Sequence, residues 1–183
     1  KFRPAVRRRP KPGEVEILVD AVGLNFRDVL NALKMLPGLE SPLGGECAGR
    51  IVAVGNGVLD FQAGEEVLAF ALGAFRSYVT VPVAYVAHKP EKLSAEEAAS
   101  IPVVFLTAHY GFKHLCKLSA GVRVLIHAAS GGVGLAAVQI AQRLGAEIIA
   151  TAGSPEKRDF LKSLGVAHVM DSRSTAFADE IIK

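Results

Sequence analysis

The chain has 183 residues, of which 50% are hydrophobic and 21% are charged, and its net charge is +3. This length and apolar content predict a globular protein with a sizeable core, in one large or two small domains, and exclude a disordered chain. The basic excess lies largely between Lys1 and Lys11, and a basic arm can bind nucleic acid. Because Phe2 is the only aromatic residue in this stretch, we predict a solvated tail or linker and no nucleic-acid partner.

The two cysteines, Cys47 and Cys116, form no Cys-x-x-Cys pair, which argues against a disulfide framework and favours a reducing compartment. No apolar run reaches the ~20 residues that span a bilayer, and the first residues do not form a signal peptide. We therefore expect a cytoplasmic protein without a membrane partner. The proline-rich start and the helical end indicate a segment of a larger polypeptide.

Short strands separated by turns dominate the first hundred residues. Alternating side chains predict a strand over 14–22, and helical spacing predicts a helix over 26–34. Further strands are predicted within 44–55, 65–71 and 76–90. Closely spaced short strands are typical of a small barrel or a partly open sheet.

The pattern changes after Ser94, where Ser94 and Glu97 form a capping-box pattern. A helix is predicted over 102–118, and because its apolar residues lie all round, we expect it to be buried. Buried strands and helices then alternate, with strands over 122–129, 146–152 and 167–171 and helices over 135–145, 154–165 and 175–183. This alternation is half of a doubly wound parallel sheet, and the predicted fold class is α/β.

The segment from His127 to Gly134 reads HAASGGVG and joins the first parallel strand to its helix. Glycines let a backbone approach a pyrophosphate, whose charge the N–H groups and the positive end of the helix then stabilise. A strand before the loop, a helix after it and a second strand beyond provide the context of a dinucleotide site. We predict that the pyrophosphate is bound by Ser130, Gly131, Gly132, Val133 and Gly134; a tight turn without a nucleotide is the alternative.

The residues after the second parallel strand select between NAD and NADP. NAD sites place Asp or Glu at this strand tip, and here the tip itself carries no carboxylate. Ser154, Lys157 and Arg158 offer a hydroxyl and two cations that suit a 2′-phosphate, whereas the helix dipole accounts for Glu156. We predict NADPH as the cofactor; an exposed helix face is the alternative reading of Lys157 and Arg158.

Several segments together resemble the enoyl reductase domain of modular polyketide synthases: GLNFRDVLNALKMLPG, LGGECAG, IPVVFLTAHYGF, VLIHAASGGVGLAAVQIAQRLGAEIIATAGSPEKRDFLKSLG and DSR. The similarity spans nearly the whole chain and lies in the zinc-independent, quinone-oxidoreductase-like branch of the medium-chain dehydrogenase/reductase superfamily. It implies a GroES-like substrate domain over 1–103 and, over 104–183, the N-terminal half of an NADPH-binding Rossmann domain. Family members are longer, so the rest of that sheet would lie outside this chain.

Alcohol dehydrogenases of the same superfamily bind catalytic zinc through an early Cys and a Gly-His-Glu motif. Asn25 stands at the first position here, and the second motif reads Gly44-Gly45-Glu46 without its His. Zinc needs three or four N, S or O ligands, and no ligand spacing is seen among the five histidines, His88, His109, His114, His127 and His168. His109 and His114, five apart on a helix, should diverge. We expect metal-free chemistry.

The resemblance also assigns roles to single residues. It places Asn25 beside the nicotinamide and the substrate, where its amide could donate a hydrogen bond to an enolate oxygen; a turn before the helix is a compatible role. It implies cofactor contacts for Thr107, Ser172 and Arg173. The alternative for Thr107 is a hydroxyl that bonds to the backbone of its own helix, and the alternative for Ser172 and Arg173 is an ordinary loop. Of the family's two suggested proton donors, a Tyr is replaced by Leu36 and an Asp by Ala176. Lys157 could serve the phosphate or protonation, and we favour the phosphate.

The expected function is NADPH-dependent reduction of an enoyl thioester on an acyl carrier protein, next to other synthase domains. The first alternative is a free-standing quinone or enone reductase. The second is a reductase whose enolate closes a cyclopropane on a substrate with a γ leaving group, because slow protonation would prolong the enolate's life. A non-catalytic nucleotide-binding scaffold is a further alternative.

Overall fold

The computed structural model describes residues 7–35 and 41–182, without the side chain of Ile182. The chain forms two compact units, Lys1–Val103 and Val104–Lys183. The first is built on an antiparallel sheet and the second on a parallel sheet, which confirms the predicted α/β class.

The first unit contains a five-stranded antiparallel sheet in the order β4-β1-β2-β3-β5. Its strands are β1 (Glu14–Val22), β2 (Glu46–Val54), β3 (Glu66–Phe70), β4 (Tyr78–Pro82) and β5 (Val86–His88). In β1, Ile17 pairs with Ile51 of β2 on one side and with Val79 of β4 on the other. These three side chains are buried together because β-branched residues pack well on a pleated surface.

Two short helices accompany this sheet. α1 (Phe26–Ala32) ends two residues before the predicted helix end. α2 (Ala95–Ala99) carries the predicted capping box: the Glu97 N–H donates to Ser94 Oγ at 3.2 Å, and the Ser94 N–H donates to Glu97 Oε2 at 2.8 Å. A 3₁₀ turn, Val83–Tyr85, joins β4 to β5.

Arg7 and Arg8 are exposed, as expected for a solvated basic arm, but they do not form a free tail, because both pair with the sheet. Arg7 forms a two-pronged ion pair with Glu16 of β1, with N···O distances of 2.8 and 3.0 Å, and its guanidinium lies 3.7 Å from the Tyr78 ring centre. Arg8 pairs with Glu14 at 2.5 and 2.8 Å, and this contact lowers the pKa of Glu14 to about 2. Carboxylates on β1 thus hold the start of the described chain against the sheet.

The second unit contains a three-stranded parallel sheet in the order β6-β7-β8. Its strands are β6 (Arg123–Ile126), β7 (Glu147–Ala152) and β8 (His168–Asp171), and its helices are α3 (Pro102–His109, which begins in the first unit), α4 (Gly132–Arg143), α5 (Pro155–Ser163) and α6 (Ala176–Ile182). The predicted alternation of parallel strands and helices is therefore confirmed. The core lies between the sheet and the helices, around Val138, Ile148 and Leu161.

The prediction of one buried helix over 102–118 is wrong. α3 ends at His109 and a π-helix, Tyr110–Leu115, follows it. One side of this segment packs on the core through Ala108, but Leu106, Tyr110 and Leu115 are exposed. An apolar composition all round a helix therefore does not mean that every side is covered.

The prediction that His109 and His114 diverge is also wrong, because their ring centres lie 5.8 Å apart. Residues five apart are brought into line by a π-helix, whose hydrogen bonds run from residue i to i+5. Tyr110 stacks on His114 with a centroid distance of 5.6 Å.

The strand β6 was expected to be covered on both faces, and this is wrong as well. It lies at one edge of the three-stranded sheet, and Leu125 is 38% exposed. β7 is central, and its residues from Ile148 to Ala152 are all buried, as predicted. Within 7–35 and 41–182, no helix is both long and apolar enough to cross a bilayer.

Candidate functional site

A sharp turn leads from β6 into α4 and shapes the glycine-rich loop. Ala128 takes a left-handed conformation with φ +49°, which is rare for a residue with a side chain. The Ala129 N–H donates to the Thr151 carbonyl of β7 at 3.0 Å, and the Gly131 N–H donates to the Ala128 carbonyl at 2.9 Å. These bonds fix the loop on the sheet directly before the helix.

The glycines of this loop have different physical roles. At Gly134 an added Cβ would lie 2.5 Å from the Ala128 carbonyl oxygen, so the helix can rest on the loop only without a side chain there. At Gly131 and Gly132 the nearest atoms would be 3.3 and 3.2 Å away. Gly134 is therefore a packing requirement, whereas at the first two glycines a side chain would be tight without a backbone clash below 3.0 Å.

The first turn of α4 presents N–H groups to solvent. Helical geometry leaves the N–H groups of Gly132, Val133 and Gly134 without an acceptor in the helix. Gly132 and Val133 are exposed, and the positive end of the helix dipole lies at this turn. This cradle fits the pyrophosphate of a dinucleotide.

The tip of β7 presents polar and cationic groups. Ser154 caps α5, since its Oγ accepts the Lys157 N–H at 3.4 Å. The Ser154 hydroxyl and the backbone at Glu156 lower the pKa of the Glu156 carboxyl. Lys157 itself is exposed.

Arg173 lies over the same tip. A Cβ added to Gly153 would come within 3.0 Å of Arg173 Nε, so the glycine lets the guanidinium lie against the strand end. The Ser172 N–H donates to the Ala152 carbonyl at 3.2 Å and fixes the loop after β8. The structure therefore brings Ser154, Ser172 and Arg173 to one strand edge.

Arg158 is engaged with a carboxylate that sequence reasoning missed. Its Nη1 lies 3.2 Å from Asp171 Oδ2 and donates to the Ala152 carbonyl at 3.2 Å. Asp171 Oδ1 in turn accepts the Arg173 N–H at 2.8 Å. The position of Asp171, last in the strand beside β7, is the signal that could have revealed it.

Two further polar side chains, His127 and Thr107, lie in the loop after β6 and on α3. His127 Nδ1 lies 3.1 Å from the hydroxyl of the fully buried Thr151, and its ring meets Phe177 edge to face at 5.4 Å. Ala176 begins α6 beside Phe177. Thr107 lies on the exposed side of α3.

In the first unit, Asn25 precedes α1 and is held by a buried carboxylate. Its Nδ2 donates to Glu46 Oε1 at 2.7 Å. The other oxygen of Glu46 accepts the Val103 N–H at 2.7 Å. Glu46 is 2% exposed.

A second buried carboxylate, Asp28, fixes the backbone of the same turn. Its Oδ2 accepts the Asn25 N–H at 2.9 Å, and its Oδ1 accepts the Gly44 N–H at 2.8 Å. Sequence reasoning missed both carboxylates. The available signal for Glu46 was its position as the first residue of β2, at the end of the Gly44-Gly45-Glu46 motif.

Large apolar side chains flank Asn25 in the chain and are exposed. Leu24 is 71% and Phe26 73% exposed, although solvent exposure of such residues is costly. Leu36, the residue at the position of the family's Tyr, lies outside the described residues. The turn thus presents an amide within an apolar surface.

Metal-ligating residues are scattered in the part of the chain that the structure describes. Among 7–35 and 41–182, no group of three or more His, Cys, Asp or Glu side chains is arranged to hold a metal ion. Burial raises the pKa of the Cys47 thiol to about 12, so this thiol is a packing residue.

Two family models match the chain. The alcohol dehydrogenase GroES-like domain matches residues 11–91, and the zinc-binding dehydrogenase family matches residues 132–183. A phenolphthiocerol/phthiocerol polyketide synthase of Mycobacterium tuberculosis is 46% identical over 180 residues, which are 97% of this chain and 8% of that protein. The chain is therefore similar to a short segment of a much longer synthase.

Solved structures match at the level of the fold and the sequence. The CurK enoyl reductase is 52% identical with a TM-score of 0.94, and the match covers 100% of this chain and 58% of that one. The CurF ER cyclopropanase is 44% identical with a TM-score of 0.85, over 98% and 58% of the two chains. Mycobacterial Rv1454c, solved in complex with NADPH, is 34% identical with a TM-score of 0.81, over 92% and 53%. The chain thus spans little more than half the length of these structures.

Proposed function

We propose that this chain, which belongs to the medium-chain dehydrogenase/reductase superfamily and to its polyketide synthase enoyl reductases, takes part in NADPH-dependent reduction of the α,β double bond of an enoyl thioester. The observation that carries the proposal is the cradle between β6 and α4. Its exposed glycines and first-turn N–H groups suit a pyrophosphate. The first unit would be the substrate domain and the second the cofactor domain.

The cofactor would supply one hydride to the β-carbon of the substrate when it is bound. We propose that Ser130, Gly131, Gly132, Val133 and Gly134 hold its pyrophosphate. Thr107 and Ser172 are proposed to contact the remainder of the cofactor, as the family resemblance implies. These residues position the cofactor and take no part in bond making.

The choice of NADPH over NADH is proposed to rest on the tip of β7. Lys157 is exposed there and the Arg173 guanidinium lies over Gly153, and we propose that these two cations bind the 2′-phosphate. Ser154 adds a hydroxyl. Arg158 is proposed to belong to the same site, and its pairing with Asp171 offsets the charge of that carboxylate.

Asn25 is the proposed donor to the substrate. Hydride addition to the β-carbon moves the double-bond electrons to the thioester oxygen, and the resulting enolate needs oriented donors. One amide hydrogen of Asn25 is bound to Glu46, which leaves the other to donate. A proton then reaches the α-carbon. We propose that water delivers it, because neither Leu36 nor Ala176 can.

The substrate is proposed to arrive on an acyl carrier protein, and the partners are proposed to be the neighbouring domains of a synthase. The relatives that the chain matches are segments of polyketide synthases, which supports this presentation. The proposed location is the cytoplasm. A free-standing reductase would use the same residues on an untethered substrate.

The test uses this chain within a domain of the length of the solved enoyl reductases. Mixed with NADPH and a crotonyl thioester, it should lower the absorbance at 340 nm. Arg173→Ala should raise KM for NADPH roughly tenfold or more, since a hydrogen bond to a charged group contributes about 1.5–3 kcal/mol. KM for NADH should stay unchanged.

Lys162→Ala is the control, because Lys162 is an exposed cation of the same unit, on α5, that pairs with Asp159. It should change neither KM. Equal use of NADPH and NADH by the unaltered protein would reject the 2′-phosphate site. Tight NADPH binding without oxidation would favour a scaffold.

Cyclopropane ring closure is an alternative outcome, because one solved neighbour is described as the CurF ER cyclopropanase. We propose plain reduction, because identity to the CurK enoyl reductase is higher, 52% against 44%. A substrate with a γ leaving group distinguishes the two outcomes by mass spectrometry. A cyclopropane product would overturn plain reduction.

A further inference from the structure

We propose that Glu46 is a positioning residue that orients the Asn25 amide toward the substrate; this rests on the function proposed above. Two neighbouring groups donate to its carboxylate, the Asn25 side chain at 2.7 Å and the Val103 N–H at 2.7 Å. Each oxygen of Glu46 accepts one of these two bonds, so we infer that the residue acts through Asn25.

The physical problem that Glu46 solves is the symmetry of an amide. The oxygen and nitrogen of an Asn side chain have almost the same shape, and only hydrogen bonds decide which way the group faces. A carboxylate accepts and never donates. It therefore fixes Nδ2 of Asn25 toward Glu46 and directs the remaining N–H along one defined line.

The burial of Glu46 supports this role, because burying a carboxylate costs desolvation free energy that a neutral residue would not cost. Glu46 is 2% exposed, and removing a carboxylate from water costs free energy unless donors replace the lost hydration. Two short hydrogen bonds provide that replacement. A neutral residue of similar size would connect the same elements without the cost, but it would not select one face of the amide.

Gly23 provides room for the carboxylate. A Cβ at Gly23 would lie 2.2 Å from Glu46 Oε1, the oxygen that accepts from Asn25. Gly23→Ala therefore displaces this oxygen without changing any charge. It is an independent way to disturb the orientation of Asn25.

The first experiment measures kcat in a double-mutant cycle on the domain of the length of the solved enoyl reductases. Glu46→Gln should lower kcat about tenfold, because misplaced catalytic groups lose one to two orders of magnitude. In an Asn25→Ala background the same change should lower kcat less than about twofold, because contacting residues that act as a unit are not additive. Gly23→Ala should behave like Glu46→Gln in both backgrounds.

Glu16→Gln is the matched control, since Glu16 is a buried carboxylate of the same unit that pairs with Arg7 away from Asn25. It should leave kcat unchanged at a comparable loss of melting temperature. Independent effects of Asn25→Ala and Glu46→Gln would overturn the proposal and assign Glu46 a structural role.

The second experiment does not depend on activity. In protein labelled with ¹⁵N-asparagine, one amide proton of Asn25 should resonate downfield and exchange slowly, and Asn25→Asp should assign that signal. Glu46→Gln and Gly23→Ala should abolish the shift, and Glu16→Gln should keep it. An unchanged signal in both variants would overturn the proposal, whereas absence of enoyl reduction with this signal intact would reject the proposed function alone.

Discussion

Replacing Gly134 by alanine tests whether the cradle depends on close contact between loop and helix. The added Cβ would lie 2.5 Å from the Ala128 carbonyl oxygen and 2.6 Å from the Ala129 Cα. Both are backbone atoms, and hydrogen bonds fix that backbone to Thr151 and Gly131. The loop must therefore shift away from α4.

The size of the effect follows from two opposing contributions. Overpacking costs about 1–3 kcal/mol, whereas alanine gains up to about 1 kcal/mol over glycine within a helix. Because rigid backbone is the obstacle, we expect a net loss near 2 kcal/mol at Gly134. At Gly132 the Cβ would meet only the Val104 methyl at 3.2 Å, and this side chain can yield, so Gly132→Ala should change stability by less than about 1 kcal/mol.

Urea unfolding and NADPH titration together provide the assay. Gly134→Ala should lower both stability and NADPH affinity, the latter about 10- to 100-fold if one charge-assisted hydrogen bond is lost. Gly132→Ala should weaken NADPH binding, whereas the free energy of unfolding should stay near that of the unaltered protein. Gly111→Ala, where no described atom lies within 4 Å of the added Cβ, is the control; it should leave NADPH affinity unchanged and raise stability by at most about 1 kcal/mol. Unchanged stability and affinity in Gly134→Ala would refute the reasoning.

The other predictions concern thiols, the start of the chain and the loop conformation. At pH 8 iodoacetamide should alkylate the exposed Cys116 and spare the buried Cys47, and equal labelling of the two thiols by mass spectrometry would contradict this. Folding raises the pKa of the Cys47 thiol from 9.0 to about 12, so the stability that the neutral thiol contributes is present below pH 9 and is lost between pH 9 and 12. Arg7→Ala should lower the melting temperature more than Arg8→Ala, because loss of Arg7 leaves the buried Glu16 unpaired. Equal losses in a thermal scan would count against this. Ala128→Gly should be neutral or stabilising by up to about 1.5 kcal/mol in urea, because it removes left-handed strain of about 1–2 kcal/mol at an entropic cost of about 0.5–1 kcal/mol, and a clear loss would contradict the assigned strain.

The elements that depend on local pattern were predictable from the sequence. The strand Glu14–Val22 and the helix cap at Ser94 were confirmed, because alternation and a capping box act over a few residues. The glycine-rich loop was predicted between a strand and a helix for the same reason. Its helix begins at Gly132, three residues before the predicted start, since the glycines themselves form the first turn.

Contacts between distant residues could not be predicted. The bond from Asn25 to Glu46 joins residues 21 apart, and the bond from Val103 to Glu46 joins residues 57 apart. Side-chain periodicity identifies the face of an element and does not identify its partner. The prediction that the 102–118 segment is buried was wrong for this reason. The proximity of His109 to His114 depends on a π-helix, which no pattern in the residues predicts.

The residues at the tip of the second parallel strand do not by themselves determine the charge that a cofactor would meet there. A carboxylate absent from the tip of β7 stands at the tip of the neighbouring β8, where Asp171 lies 3.2 Å from Arg158. An unpaired carboxylate there would repel a 2′-phosphate, and its pairing with Arg158 removes that repulsion while Lys157 and Arg173 remain cationic. The proposed preference for a phosphorylated cofactor would therefore depend on the charge of two adjacent strand tips together, and substituting Arg158 should weaken NADPH binding through Asp171 even if Arg158 never contacts the phosphate.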